Sequence, residues 1–287
     1  MSSHRLVVGL GSRRYRVERP WGNLPSDAGR VSDVTVDSRG HLFVLLRYDP
    51  LVDVPGTPVV ELDRSGVRVN AWGAELIADS HMIACSSDDR LYIVDRDAHE
   101  IVICSTQGKR LGGIGGRNRP LEPFNHPTDV AFAPSGEIYV SDGYANSKVH
   151  RFNKGGSPVK SWGSLGRGRG EFINSHAVWV LPDERVVVVD RENDRLQVFT
   201  PDGELLDIWG SFKQPLDIWG DAEGNLFVTD LVPSLSMLSP DGRMLGRCRP
   251  VLNGAHGVWG DADGNLFLAE PNPSRITRLA PVGGNGS

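Results

Sequence analysis

Short apolar runs separated by polar, turn-rich clusters recur along the whole chain. Six segments share one template: an apolar strand, a turn rich in Asp, Gly, Ser or Pro, and a second apolar strand that in most copies ends in an acid. They are DVTVDSRGHLFVLLR (33–47), MIACSSDDRLYIVDR (82–96), DVAFAPSGEIYVSDG (129–143), AVWVLPDERVVVVDR (177–191), DIWGDAEGNLFVTDL (217–231) and GVWGDADGNLFLAEP (257–271). The equivalent second residues, Val34, Ile83, Val130, Val178, Ile218 and Val258, are spaced by 49, 47, 48, 40 and 40. Periods of this length with several short strands per unit predict a β-propeller.

Each unit continues with a third strand and usually a fourth. IVICSTQGKRLGGIG, KVHRFNKGGSPVKSWG and RLQVFTPDGELLDIWG repeat strand, polar glycine turn, strand. No 3.6-residue periodicity of useful length interrupts them, so the expectation is an all-β, six-bladed β-propeller filling residues 1–287 as one domain. The C-terminal SRITRLA (274–280) lacks its fourth strand, and the N-terminal RYRVERPWG (14–22) resembles an orphan fourth strand. Pairing the two closes the ring and removes open sheet edges.

Composition bounds the function without naming it. The 287 residues, 39% hydrophobic and 23% charged, carry a formal net charge of −5. A chain without a basic excess gives no reason to expect nucleic acid or an anionic membrane as partner. No run of 18 apolar residues is present, and MSSHRLVVGLGSRR lacks the features of a signal peptide. Three unclustered cysteines, Cys85, Cys104 and Cys248, fit a reducing cytoplasm. Oligomeric state stays open.

Chemistry enters through phase. Two residues before each reference position stand Ser32, His81, Thr128, His176, Leu216 and His256. First strands line the channel of a propeller, so histidines in units two, four and six stand about 120° apart around the axis at one depth. That is the geometry of a three-histidine metal site with open coordination positions, with zinc ahead of iron, manganese or cobalt. The plainer alternative is that each imidazole only caps a strand.

The second strand of each unit returns to the same rim and delivers Arg47, Arg96, Gly143, Arg191, Leu231 and Pro271, with Tyr144 after Gly143. Arg96 and Arg191 follow aspartates and read as inter-blade salt-bridge scaffold. Arg47 and Tyr144 are the candidates for chemistry. GRGRG (166–170), GGIGG (112–116) and GLGSRR (9–14) open no helix and read as blade connections. His126 reads as a loop residue, and His4, His41, His99 and His150 as residues without convergent partners. Trp72, Trp162 and Trp209 recur at outer-strand ends, as packing between blades.

The stretches FNHPTDVAFAPSGEIYVSDGYANSKVHRF (124–152) and EFINSHAVWVLPDERVVVVDRENDRLQVF (171–199) resemble the peptidyl-α-hydroxyglycine α-amidating lyases, a branch of the NHL-type six-bladed propellers. The resemblance implies a zinc ion on His81 in ADSHMIA, His176 in INSHAVW and His256 in NGAHGVW. It implies a catalytic tyrosine at Tyr144 in SDGYANS and an active-site arginine at Arg47 in VLLRYDP. The departures are specific. Asn125 and Ala145 stand where secreted members have a disulfide, Gly254 where the family has a methionine, and Gly257 where an acid helps bind a structural calcium. The resemblance thus implies the zinc tripod and leaves the calcium open.

Three function classes follow. The first is a zinc-dependent lyase splitting an N-acyl carbinolamide into an amide and an aldehyde such as glyoxylate, with Tyr144 as base and Arg47 anchoring substrate charge. The second is a metal-dependent hydrolase of a small amide or lactone on the same three histidines. The third is a non-catalytic propeller that docks a protein partner.

Overall fold

The computed structural model describes residues 6–26, 28–48 and 56–283. It is all-β: six sheets follow one another around a ring, and the single helical turn among the described residues is Arg191–Asn193. Blade 1 comprises Arg30–Val36, Leu42–Arg47, Val59–Leu62 and Arg68–Trp72. Blade 2 runs from Ser80–Cys85 to Arg110–Ile114, blade 3 from Asp129–Phe132 to Pro158–Trp162, blade 4 from Ser175–Val180 to Leu205–Trp209, and blade 5 from Pro215–Gly220 to Met244–Cys248. In these five blades the four strands pair antiparallel in chain order.

Blade 6 closes the ring as the sequence led us to expect. Gly257–Gly260, Leu266–Pro271 and Ser274–Pro281 are completed by the N-terminal Arg13–Glu18, with Val17 opposite Leu279. A further strand, Val7–Leu10, pairs outside it with Val8 opposite Tyr15, an addition the repeat pattern did not contain.

Burial explains why these short runs hold together. The second strand of each blade lies between neighbouring strands and neighbouring blades; all five residues of Val186–Asp190 are buried. Such a strand has no solvent face and reads as an unbroken apolar run. Between blades, outer-strand tryptophans lie against glycines in the turns of the next blade. A Cβ at Gly203, whose φ is +78°, would lie 2.6 Å from Trp162, and one at Gly108 would lie 2.5 Å from Trp72. Glycine meets both demands at once, a left-handed backbone and room for an indole. The expected inter-blade role of Trp72, Trp162 and Trp209 is thereby explained.

Candidate functional site

Register slips at the start of the first strands turn the key side chains toward the axis. In blade 2 the pairing jumps between Ser80 and Ile83, and in blade 4 between Ser175 and Ala177, so His81 and His176 both sit in a β-bulge. A bulge re-aims a side chain that strict alternation would place elsewhere. His256 stands just ahead of its strand and is held by its N–H to the Ala269 carbonyl, 2.8 Å.

The three imidazoles form a near-equilateral set, with ring centroids 5.0, 5.1 and 5.2 Å apart. His81 and His176 are completely buried. Each ring is oriented by the next blade. Nδ1 of His81 donates to the Thr128 carbonyl (2.6 Å), that of His176 to the Leu216 carbonyl (2.6 Å), and that of His256 to the Ser32 carbonyl (2.9 Å). The acceptors occupy the histidines' own phase in blades 3, 5 and 1. With Nδ1 used as donor, Nε2 is left with its lone pair, the tautomer a metal ligand requires.

Burial pushes His81 and His176 well below the ordinary imidazole range, helped by their imidazole neighbours, and His256 down to about 4. The rings are therefore neutral at pH 7, as ligation demands. One ligand atom from each lies within 4.8 Å of the others, a spacing a single ion can bridge. On donor set, tautomer and spacing, the three residues fit a zinc-type cation.

Tyr144, 36% exposed, leans over this set. Its hydroxyl is 2.9 Å from Nε2 of His81 and 3.3 Å from Nε2 of His176. The guanidinium of Arg96 lies 5.3 Å and that of Arg191 6.0 Å from the centre of the phenol ring, within cation–π range. Arg47 is clamped by Asp79 through Nε–Oδ1 at 2.8 Å and a second contact at 3.2 Å, and the same carboxylate takes Arg96 at 2.7 Å. Burial holds the Asp79 carboxyl up against the downward pull of the two guanidinia.

Arg96 thus stands in a salt-bridge network between blades 1 and 2, since Asp79 takes both it and Arg47, whereas Arg191 pairs with its neighbour Glu192 and not across blades. The aspartates before them are otherwise engaged: Asp95 takes the N–H groups of Ala78 and Asp79 and pairs with Arg117, while Asp190 pairs with Arg195. Consecutive strand residues face opposite ways, so the arginine after an inward-tied acid turns to the rim. Three arginines and one tyrosine surround the tripod, where the sequence singled out one of each. Asp79, which braces two of them, had no repeat phase to reveal it.

Other expectations are redistributed. His126 is a loop residue at φ +63°, and its N–H donates to Nδ1 of His99, whose ring lies 4.5 Å away. His150 is buried between Asp142 and Ser161. His41 does have convergent partners, Asp37 and Glu61, but Arg39 already pairs with both acids. His4 lies outside the described residues. Asn125 Nδ2 donates to the Ala145 carbonyl at 3.4 Å, so a hydrogen bond joins the positions that the resemblance associates with a disulfide. Cys85, Cys104 and Cys248 are all free thiols, with burial pushing each up, to about 12, 11 and 11.

One layer below the histidines lies a set the sequence reading missed. The residue before each reference position is Asp33, Asp129 or Asp217 in blades 1, 3 and 5, and all three are buried. Each carboxylate accepts a backbone N–H from the following blade: Ile83 (2.9 Å), Val178 (3.0 Å) and Val258 (2.7 Å). Histidines fasten even blades to odd ones and aspartates fasten odd blades to even ones, so all six seams are clipped. The signal was present as the D that opens three of the six repeated segments. Gly257 follows from this layer, because a Cβ there would run into Oδ1 of Asp33. The position implied by the resemblance for a calcium-binding acid therefore does not fit one here.

Burial raises Asp129 to about 7, against the N–H bonds of Val178 and Val130 that favour its ionised form. For an acid whose folded value lies above its unfolded one, near 3.8, stability is full below pH 4 and is lost as pH rises through 7. Asp129→Asn should therefore narrow the difference in melting temperature between pH 5 and pH 8 by a few degrees relative to wild type. Thermal unfolding at the two pH values checks this, and an unchanged difference refutes it.

Fold and site together define a six-bladed β-propeller with a buried three-histidine cluster at one mouth. A family model of the NHL repeat matches residues 124–152. The chain is similar to the peptidylglycine α-amidating monooxygenase of Rattus norvegicus, 28% identical over 221 residues, covering 67% of this chain and 23% of that protein. It is also similar to a probable peptidyl-α-hydroxyglycine α-amidating lyase of Caenorhabditis elegans, 26% identical over 202 residues, covering 62% of this chain and 57% of that one. The chain thus spans under a quarter of the rat relative and little more than half of the nematode one. Among solved structures, a gluconolactonase of Xanthomonas campestris superposes with a TM-score of 0.68 at 18% identity, over 93% of this chain and 90% of that one, a likeness of fold alone. No helix among the described residues is long and apolar enough to cross a membrane.

Proposed function

We propose that the chain is a metal-dependent lyase that splits a small N-acyl carbinolamide, R–CO–NH–CH(OH)–R′, into an amide and an aldehyde. The observation that carries this reading is the phenol of Tyr144 set 2.9 and 3.3 Å from the Nε2 atoms of two of three converging histidines. The likeness to proteins named as amidating lyases supports it. His81, His176 and His256 would hold a divalent cation, which when bound supplies Lewis-acid polarisation of an oxygen placed on it.

The remaining chemistry falls to side chains. Tyr144, in its phenolate form, takes the proton from the carbinol hydroxyl. The C–O bond becomes C=O, the C–N bond breaks, and its electron pair goes to the amide nitrogen. The same proton then passes from Tyr144 to that nitrogen, so the products are R–CO–NH₂ and O=CH–R′ with nothing left over. Arg96 and Arg191 fix the ring by lying against it. Arg47, braced by Asp79, anchors a carboxylate in R′.

The test is incubation of the zinc-loaded protein with N-benzoyl-α-hydroxyglycine. Benzamide and glyoxylate should appear in equal amounts faster than in buffer, and chelation should stop them. Bound metal with no products, together with hydrolysis of a small lactone or amide, would replace the lyase reading by the hydrolase one. A chain that binds no metal and turns over neither substrate would leave the partner-docking reading.

A further inference from the structure

The six positions at which second strands reach the histidine mouth do not share one chemistry. Arg47, Arg96 and Arg191 hold that place in blades 1, 2 and 4, and Gly143 holds it in blade 3 with Tyr144 beside it. In blades 5 and 6 the same place is taken by Leu231 and Pro271. Equal phase in a closed ring means equal depth, so Leu231 stands about 180° around the axis from Arg96. The mouth is cationic on one side and apolar on the other.

The seams between blades repeat this division. The residue two before each histidine meets the rim residue of the preceding blade. Asp79 clamps Arg47, and Asn174 Oδ1 stands where a Cβ on Gly143 would run into it. At the third seam a Cβ on Gly254 would lie 3.0 Å from Leu231 Cα and 3.4 Å from its Cδ2. Gly254 has no side chain, so that of Leu231 lies over its backbone, two residues ahead of His256. Neither residue of this third pair offers a polar side-chain atom.

Leu231, its neighbour Val232 and Leu252 in the connection before His256 are 46, 55 and 58% exposed. Apolar side chains grouped at the edge of a site mark a ligand surface. They do not owe their exposure to a loose segment. The connection is pinned by the buried Val251 and Ala255, by Arg19 on the Pro250 carbonyl (2.9 Å), by Arg249 on the Leu252 carbonyl (3.4 Å) and by Asn253 on the Asn272 carbonyl (2.7 Å). The N–H of Leu231 is held by the carbonyls of Lys213 and Gln214, each at 3.2 Å. Such a face is pre-organised, which lowers the entropic cost of binding. Leu121 and Leu165, also exposed, lie in the connections of other seams and outside this phase.

We propose that the face of Leu231, Val232 and Leu252 binds the acyl group R of the substrate and selects an unbranched, uncharged aliphatic one, an assignment that rests on the lyase reading above. A carbinol carbon over the histidines carries three groups besides hydrogen, and the mouth receives them in three directions roughly 120° apart. The hydroxyl turns to Tyr144 in blade 3 and the carboxylate of R′ to Arg47 at the seam of blades 1 and 2. The acylamino group is left the seam of blades 5 and 6. A charged R would lose its hydration there and find no partner. The substrate class is thus an N-alkanoyl-α-hydroxyglycine.

Calorimetric titration of the zinc-loaded protein with N-acylglycines tests the face without turnover, since these compounds lack the hydroxyl that the reaction needs. N-hexanoylglycine should bind about tenfold or more tightly than N-acetylglycine, because each of its four added methylenes is worth roughly fourfold when fully buried. N-(6-aminohexanoyl)glycine should gain nothing over N-acetylglycine. Leu231→Ser should cut the hexanoyl-to-acetyl ratio about threefold or more, and Leu252→Ser, at an exposed position, gives the same reading should the first variant fail to fold. Equal affinity for the acetyl and hexanoyl compounds, an aminohexanoyl compound as tight as the hexanoyl one, a ratio unchanged in both variants, or no binding of any of them overturns the proposal. The reaction is judged separately with N-hexanoyl-α-hydroxyglycine. Binding that follows chain length without release of hexanamide and glyoxylate keeps the acyl face and removes the lyase reading, whereas products without chain-length preference keep the reaction and remove the face.

Discussion

His176→Ala is expected to leave the chain without its bound zinc and without turnover. The imidazole is fully buried, its Nδ1 is committed to the Leu216 carbonyl, and it is one of the three imidazoles that offer a ligand atom to this cluster among the described residues. Two histidines remain, but a buried site with two protein ligands falls short of the three that open catalytic zinc sites use. Lewis-acid stabilisation is worth several kcal/mol, and each ~1.4 kcal/mol is tenfold in rate, so turnover should fall by about 10³-fold or more. Metal analysis should read one zinc per wild-type chain and close to none in the variant, with the melting curve showing that the propeller persists. One zinc per variant chain would show that the histidines do not form the metal site.

Tyr144→Phe should separate proton transfer from metal binding. The ring keeps its place beneath Arg96 and Arg191, since cation–π contact needs the ring and not the hydroxyl. What disappears is the oxygen 2.9 Å from His81 Nε2. Loss of a positioned acid–base group typically costs 10²–10⁴-fold, so kcat should drop by about that factor while zinc content stays at the wild-type level. Steady-state kinetics beside metal analysis reads both. A kcat within about twofold of wild type would remove the phenol from the mechanism and point to a base elsewhere on the rim.

The ring, its closure and the histidine cluster were legible because a propeller converts repeat phase directly into position around an axis. His81, His176 and His256 share a phase in alternate units, and equal phase in a closed ring means convergence. Residues outside the phase logic were less legible. Asp79 lies in a connecting segment, and nothing in its neighbourhood of the chain announces that it clamps both Arg47 and Arg96. Arg96 does join a salt-bridge network between blades, through Asp79 and Arg47, while Arg191 pairs with Glu192 instead, and neither pairs with the acid before it, Asp95 or Asp190. The pleat sends neighbours to opposite sides, and those acids were already tied to backbone N–H groups and to Arg117 and Arg195. The buried layer of Asp33, Asp129 and Asp217 stood in phase and in plain view, yet its meaning depended on contacts with Ile83, Val178 and Val258 in other blades.

The amino-acid sequence by itself determined the number of blades, the all-β class, the join between the two ends and the depth at which three imidazoles gather. All of these follow from local periodicity and from the spacing of one repeat to the next. Only the tertiary structure decided which nitrogen of each imidazole faces the axis, which arginines reach the phenol and what fills the space beside Gly257. Each of those is set by a partner 16 to 224 residues away in the chain, and a hydrogen bond between distant segments leaves no periodic trace in either of them.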